Sequence, residues 1–276
     1  MSAKINLYQD FQLTHDNLES WVYVHKGSAP ILITAPHTGI IIPDQKTKAL
    51  FVQGENIYSS HEASDIGVLN SIFEINRTQN DFYTLHSLLS RAYVDLNRAP
   101  DYAPVTKLNA QSPEIILTDK EKNLRMAAYN AYHDQKKTLI KDMQQQYGQA
   151  IVIDLHSFTP TFHGQRRDVE IGTLRLSESE YILGFEEKFA KNIGSTFNFQ
   201  PAKPYDLREE LLNKRNAARF IERHNGIEYI GLEISNHLLQ DTAKMTFILN
   251  AVAHTARSIM HDQKAHPLME PRQSIA

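Results

Sequence analysis

Three short apolar runs in this chain each end on a residue that can do chemistry. "APHTG" closes one with His37, "IVIDLHS" at 151–157 closes another with Asp154, His156 and Ser157, and "LEIS" closes a third with Glu233. A fourth segment, "HEASD", adds Glu62 and Asp65, the latter four residues after His61. Two histidines and one carboxylate can hold Zn²⁺ and leave a fourth position for water, which is what a hydrolytic zinc site requires. A further carboxylate is then needed to carry a proton from that water to a leaving amine. Glu233 has apolar neighbours, so its ionisable group needs a partner or a task. Asp154, inside its run, reads as an outer partner that orients a ligand histidine. Each residue also has a plainer reading: a histidine at a strand end can simply be hydrogen-bonded, and Glu233 can pair with a buried arginine.

A second group lies in "SRAYVDLNRAP", residues 90–100, where Arg91, Asn97 and Arg98 flank a strand-like segment. Two guanidinium groups beside a metal can grip substrate carboxylates bidentately; the alternative is a pair of surface arginines in salt bridges. Arg166 and Arg167, in "FHGQRRD", read as a solvated charged loop or a further anion site.

Elements to position these groups follow from periodicity. "APILITAP" (29–36) is the first firm strand, preceded by an edge strand in "SWVYVHK". "EASDIGVLNSIFEIN" has near-helical apolar spacing, which places Asp65 early in a helix, and "DFYTLHS" and "AYVDLN" read as strands. Thr118 and Glu121 have capping-box spacing and Gly148 suits a C-terminal stop, predicting a helix over about 119–147. Then come strands in "AIVIDLHS", "VEIGTL" and "YIGLEIS", a helix opening at Ser177, and a last helix over about 241–261. Helices alternating with apolar strands predict an α/β fold on a largely parallel or mixed sheet covered on both faces. Ligands bind such sheets beyond the carboxyl ends of the strands, where His37, His156 and Glu233 all fall.

Composition narrows the partners. Lys+Arg number 29 against 32 Asp+Glu, a formal charge of -3, so nothing points to nucleic acid or an anionic membrane and a small or peptidic ligand is expected. The absence of cysteine excludes disulfides, thiolate zinc sites and a cysteine nucleophile. No G-x-S-x-G elbow accompanies Ser157, which argues against a serine hydrolase. With no signal-like N-terminus, no membrane-length apolar run and no linker, the reading is one domain, soluble and cytoplasmic.

Taken in order, "APHTG..IP", "HEASDIG", "SRAYVDLNR", "DLHS", "EIG" and "EISNHLL" resemble the N-formylglutamate amidohydrolase family over roughly residues 29 to 240. That family is similar in fold to zinc carboxypeptidases. The resemblance implies a single three-layer α/β/α domain on a mixed, mainly parallel sheet, one zinc ion per chain, and hydrolysis of an amide in an N-acyl amino acid or short peptide. It assigns His37 and His156 as zinc ligands, with Asp65, in preference to Glu62, as the third. It makes Glu233 the general base, Arg91 an oxyanion or anchoring group, and Asn97 with Arg98 the clamp on a substrate carboxylate. N-formyl-L-glutamate is the expected substrate; a carboxypeptidase, a deacylase of another N-acyl amino acid, or a non-catalytic binder are the alternatives. The chain departs from the family where a threonine-arginine-histidine segment is expected. There it has "NKRNAARFIERHNG", with Arg223 and His224 as counterparts.

Overall fold

The computed structural model describes residues 13–51, 60–109, 112–162, 164–175, 179–205 and 227–265. Its centre is a mixed seven-stranded sheet of β1 (Val22–His25), β2 (Ile31–Ala35), β3 (Tyr83–Ser87), β4 (Ala150–Phe158), β7 (Ile171–Arg175), β8 (Phe199–Gln200) and β9 (Ile227–Ser235), in the order β1-β3-β2-β4-β9-β7-β8. The run β3-β2-β4-β9 is parallel, while β1 and β7 pair antiparallel with β3 and β9. A two-stranded hairpin, β5 (Thr161–Phe162) and β6 (Gln165–Arg166), follows β4.

Helices cover both faces, so the central strands are buried and largely apolar, as parallel strands covered on both sides are. On one face Ile33, Ile153, Leu155 and Leu232 pack under α2 (Val68–Thr78), α4 (Glu180–Ile193) and α6 (Thr242–Ala265), the short α1 (Gln45–Lys48) and α5 (Asn236–Leu239) lying in the connections. On the other, Leu32, Leu85, Val152 and Tyr229 pack under α3 (Asp119–Tyr147) and the buried Trp21. The period of two along a strand then dictates where the polar residues go. Thr34, Asp154, His156, Tyr229 and Glu233 occupy the α3 face, with Thr34 beside Asp154 and His156 beside Glu233 in register.

The long helix has the ends its sequence predicts: Thr118 accepts from the Glu121 N–H at 3.3 Å, Glu121 accepts from the Thr118 N–H at 2.7 Å, and Gly148 is left-handed at φ 77°. Its buried face is only partly apolar: Arg125 and Lys136 are buried there with Tyr129 and Tyr132, while Leu124 and Ala131 are only half-buried.

Three sequence expectations are corrected. "AYVDLN" is not a strand but a series of turns, with one isolated bridge from Val94 to Pro104. Two of its N–H groups are taken by nearby side chains: Ser90 Oγ accepts from Ala92 and Asp95 Oδ1 from Asn97. Asp65 lies ahead of α2, not in it. Its N–H donates to the His37 carbonyl at 2.8 Å, and Gly67, at φ 89°, turns the chain into the helix. The fourth helix opens at Ser179, whose hydroxyl accepts from the Ile182 N–H at 3.3 Å; Ser177 lies outside the described residues. Among the described residues no helix is long and apolar enough to cross a membrane.

Candidate metal centre and active site

His37 leaves the end of β2, where the chain turns at Gly39. The backbone of Leu88 and Leu89 approaches Gly39 so closely that a side chain there has no room. His156 comes from β4 and Asp65 from the turn before α2, so three separate segments deliver one donor each. All three residues are buried, and their donor atoms lie within 4.8 Å of one another. His156 Nδ1 is 2.9 Å and His37 Nδ1 3.6 Å from Asp65 Oδ2, with the two rings edge to face at 5.0 Å.

The outer nitrogens explain why the inner ones converge. His37 Nε2 is 2.7 Å from Asp95 Oδ1, and His156 Nε2 faces Asp154 Oδ2 at 3.5 Å and the Asn97 amide at 3.3 Å. A carboxylate at each Nε2 keeps a proton there and turns Nδ1 inward, the arrangement that carboxylates impose on metal-binding histidines. His37 Nδ1 is buried with no hydrogen-bond partner. An orphaned imidazole nitrogen aimed at a buried carboxylate, with a second histidine beside it, is a donor set that fits a divalent cation such as zinc. Glu62 stays outside this cluster, exposed and accepting from Ser60 Oγ at 2.6 Å.

Electrostatics agree with that fit. Burial alone pushes the Asp65 carboxyl up, but the His37 and His156 imidazoles and the Arg91 guanidinium hold it well below the usual carboxylate range. Burial likewise pushes His156 down, and the Asp154 and Asp65 carboxylates outweigh it, so His156 is raised well above the ordinary imidazole value. Asp154 in turn accepts from Thr34 Oγ1 at 2.7 Å and Tyr229 OH at 2.8 Å.

Glu233 sits next to His156 in the β4–β9 register, buried, with Oε2 lacking a hydrogen-bond partner. Burial, reinforced by the Asp65 charge, pushes its carboxyl up to about 8 against the opposing pull of His156, Arg91 and Arg167. On its other side it pairs in register with Gly172, where the Lys203 carbonyl occupies the space a Cβ would need.

Arg91, Asn97 and Arg98 do come to the same cavity, of about 990 Å³, lined also by His37, Asp65, His156 and Glu233. They are neither idle surface arginines nor unengaged. Arg91 reaches Asp65 at 3.1 Å and Asp95 at 3.4 Å, and Arg98 Nε lies 3.5 Å from Asp95 Oδ2.

The complete arrangement is therefore a buried two-histidine, one-carboxylate cluster with a protonatable acid beside it and cations on its rim. A family model for N-formylglutamate amidohydrolase matches residues 29–240. The chain belongs to the N-formylglutamate amidohydrolase family. The matched span of the N-formylglutamate amidohydrolase model contains His37, Asp65, Arg91, Asn97, Arg98, His156 and Glu233. The fold is also that of a gene product of Agrobacterium tumefaciens, at 23% identity and TM-score 0.74 over 88% of this chain and 96% of that one. An N-formylglutamate amidohydrolase from Ralstonia eutropha JMP134 is similar at 15% identity and TM-score 0.61, over 87% of this chain and 98% of that one. No curated protein matches the chain by sequence.

Some participants were not singled out from the sequence. Asp95 binds His37, Arg91 and Arg98 at once; an acid buried inside the apolar "AYVDL" was the available signal. His61 lines the cavity 3.9 Å from Asp65, and Tyr205 lines it near Glu233. Arg167, expected in a solvated loop, is instead clamped among aromatic rings. Arg223 and His224 lie outside the described residues.

Proposed function

We propose that this protein is a zinc-dependent amidohydrolase that cleaves N-formyl-L-glutamate to formate and L-glutamate. The observation that carries the reading is the buried convergence of His37, Asp65 and His156 beside a carboxyl, Glu233, whose Oε2 has no partner of its own. His37, Asp65 and His156 would hold the ion. When bound, zinc supplies Lewis-acid polarisation of the scissile carbonyl and lowers the pKa of water toward about 7.

Glu233 takes a proton from the attacking water and returns it to the leaving amine. Its location suits both tasks, because a carboxyl kept near neutrality by burial accepts and releases a proton within the working pH range. Arg91, fixed by Asp65 and Asp95, presents its remaining N–H donors to the oxyanion without having to reorganise. Asn97 and Arg98 hold the substrate α-carboxylate, and their attachment to His156 and Asp95 sets the distance between that carboxylate and the reacting carbonyl. Asp95 and Asp154 position the two histidines.

The test is direct. Protein loaded with one equivalent of zinc should release formate from N-formyl-L-glutamate, lose that activity on chelation and regain it with zinc. It should favour this substrate over N-acetyl-L-glutamate and short peptides. Full turnover by chelated protein, or by Glu233→Gln, refutes the mechanism; faster cleavage of peptides refutes the substrate.

A further inference from the structure

Arg125, Tyr129 and His133 follow one another at intervals of four along α3, and each ends on a main-chain carbonyl of the same loop. Arg125 Nη1 donates to Tyr93 at 2.8 Å and to Val105 at 2.7 Å. The Tyr129 hydroxyl donates to Arg98 at 3.0 Å, and His133 Nε2 lies 3.0 Å from the Leu96 carbonyl. That spacing puts all three side chains on one helix face. The Tyr129 and His133 rings also touch, with centres 4.2 Å apart. Burial pushes His133 down to about 4, so the ring is neutral and the nitrogen facing a carbonyl carries its proton. Burial pushes Tyr129 up, which keeps its hydroxyl a donor.

The carbonyls held by Tyr129 and His133 flank Asn97. Asn97 and Arg98 are the proposed grip on the substrate carboxylate, and the Asn97 amide also reaches His156 Nε2 at 3.3 Å. Because this segment is a series of turns, no sheet ladder fixes it. Its internal bonds, Asn97 N–H to Asp95 Oδ1 at 3.0 Å and Arg98 N–H to the Asp95 carbonyl at 3.2 Å, set its shape. Asp95 ties the start of the turn to His37 at 2.7 Å, and α3 ties the remainder from behind. The helix itself packs on the strand that carries His156, with Tyr132 and Leu139 in one apolar cluster with Val152. Clamp and metal centre are thus referred to the same rigid support. Neither Tyr129 nor His133 lines the cavity, so any effect on a ligand passes through the loop.

We infer that Tyr129 and His133 are positioning residues, which hold the Arg98 and Leu96 carbonyls so that the Asn97–Arg98 pair stands at a fixed distance from the metal centre. This rests on the reading of Asn97 and Arg98 as the carboxylate clamp of an amidohydrolase. A loop left free would have to be ordered at each binding event, at a cost in affinity that a loop already held avoids. A displacement of about 1 Å also takes the bound amide out of register with the reacting groups.

The experiment uses zinc-loaded full-length protein. Tyr129→Phe removes one hydroxyl and keeps the ring, His133→Leu removes a donor, and His133→Gln returns an amide N–H at similar reach. With N-formyl-L-glutamate, KM should rise roughly 3- to 10-fold in Tyr129→Phe and in His133→Leu, the worth of one hydrogen bond, with a smaller change in kcat. His133→Gln should recover part of that loss. Amide exchange gives a readout independent of turnover: the Asn97 and Arg98 N–H groups should exchange about 10-fold faster in Tyr129→Phe and His133→Leu, while the amides of α3 keep their protection. Unchanged KM, or exchange that rises equally along α3, would overturn the inference, the latter because it marks a general loss of stability. If wild type does not cleave N-formyl-L-glutamate, the hydrolase reading has failed. Exchange then still decides whether α3 holds the loop: acceleration confined to residues 96–98 supports it, and unchanged exchange refutes it.

Discussion

Replacing Glu233 by glutamine should cut activity steeply and, at high pH, make the metal-free protein more stable than wild type. The carboxyl is buried beside Asp65 with Oε2 unpartnered, and its pKa is raised from 4.5 to about 8. A group whose folded pKa is raised gives stability that is fully present below the unfolded value and is lost as pH climbs through the folded one. At about 1.4 kcal/mol per pH unit between those two values, ionising Glu233 costs the metal-free fold on the order of 5 kcal/mol by pH 9. Glutamine has the same shape and no charge to ionise. Urea unfolding of chelated wild type and Glu233→Gln at pH 5, 7 and 9 therefore shows a stability difference that moves steadily in favour of the variant. Taking the difference between the two proteins removes the contributions of His156, Asp65 and the other titrating groups they share. Zinc should shrink the gap, because a nearby cation favours the ionised carboxylate. Turnover in the zinc-loaded variant should fall by about 10²–10⁴, the usual worth of a positioned general base. A gap that does not change with pH would mean that Glu233 is already ionised at pH 5, and the account of a desolvated acid would be wrong.

Other consequences follow from the same geometry. Asp95→Ala removes the carboxylate that orients His37 and should weaken zinc binding about 10–100-fold, measured by competition with a chromogenic chelator; unchanged affinity would show that Asp95 serves only the arginines. Because His156 is held protonated by Asp154 and Asp65 in the absence of metal, zinc must displace a proton. Zinc affinity should therefore rise with pH until it passes the raised His156 value, and proton release should be visible by calorimetry in buffers of different ionisation enthalpy. Arg125, 1% exposed, donates to the Tyr93 and Val105 carbonyls and to Asp44 and Thr47, stitching the segment that forms one cavity wall to α3. Arg125→Met should destabilise the fold by roughly 3–5 kcal/mol, the cost of breaking a buried charge network, read by chemical denaturation.

Local chemistry made much of this molecule legible in advance. The cap at Thr118 and Glu121 and the glycine at 148 are short-range signals, and they set the 29-residue helix to the residue. The apolar runs at 31–35, 150–158 and 227–235 imply buried parallel strands, and their last residues identify the end of the sheet where chemistry gathers. Signals that depend on partners far along the chain were not available in the same way. "AYVDLN" has the composition of a strand, but Asp95 is drawn to His37 and two arginines, and its carboxylate folds the segment into turns. The choice between Asp65 and Glu62 was open in the sequence, since both sit one turn or less from His61. In the structure the Asp65 N–H bonds to the His37 carbonyl and its carboxylate lies with the two histidines, while Glu62 stays outside that cluster. Arg167 reads as a charged loop residue because the three rings around it come from positions 158, 162 and 205.

The sequence by itself thus determined the central strands, their faces and the two histidines at their ends, because periodicity and residue type act within a few positions. Only the tertiary structure shows which nitrogen of each histidine faces inward and which acid lies beside them. Those outcomes depend on burial and on charges brought together from distant segments, where a low-dielectric interior makes each pairing count.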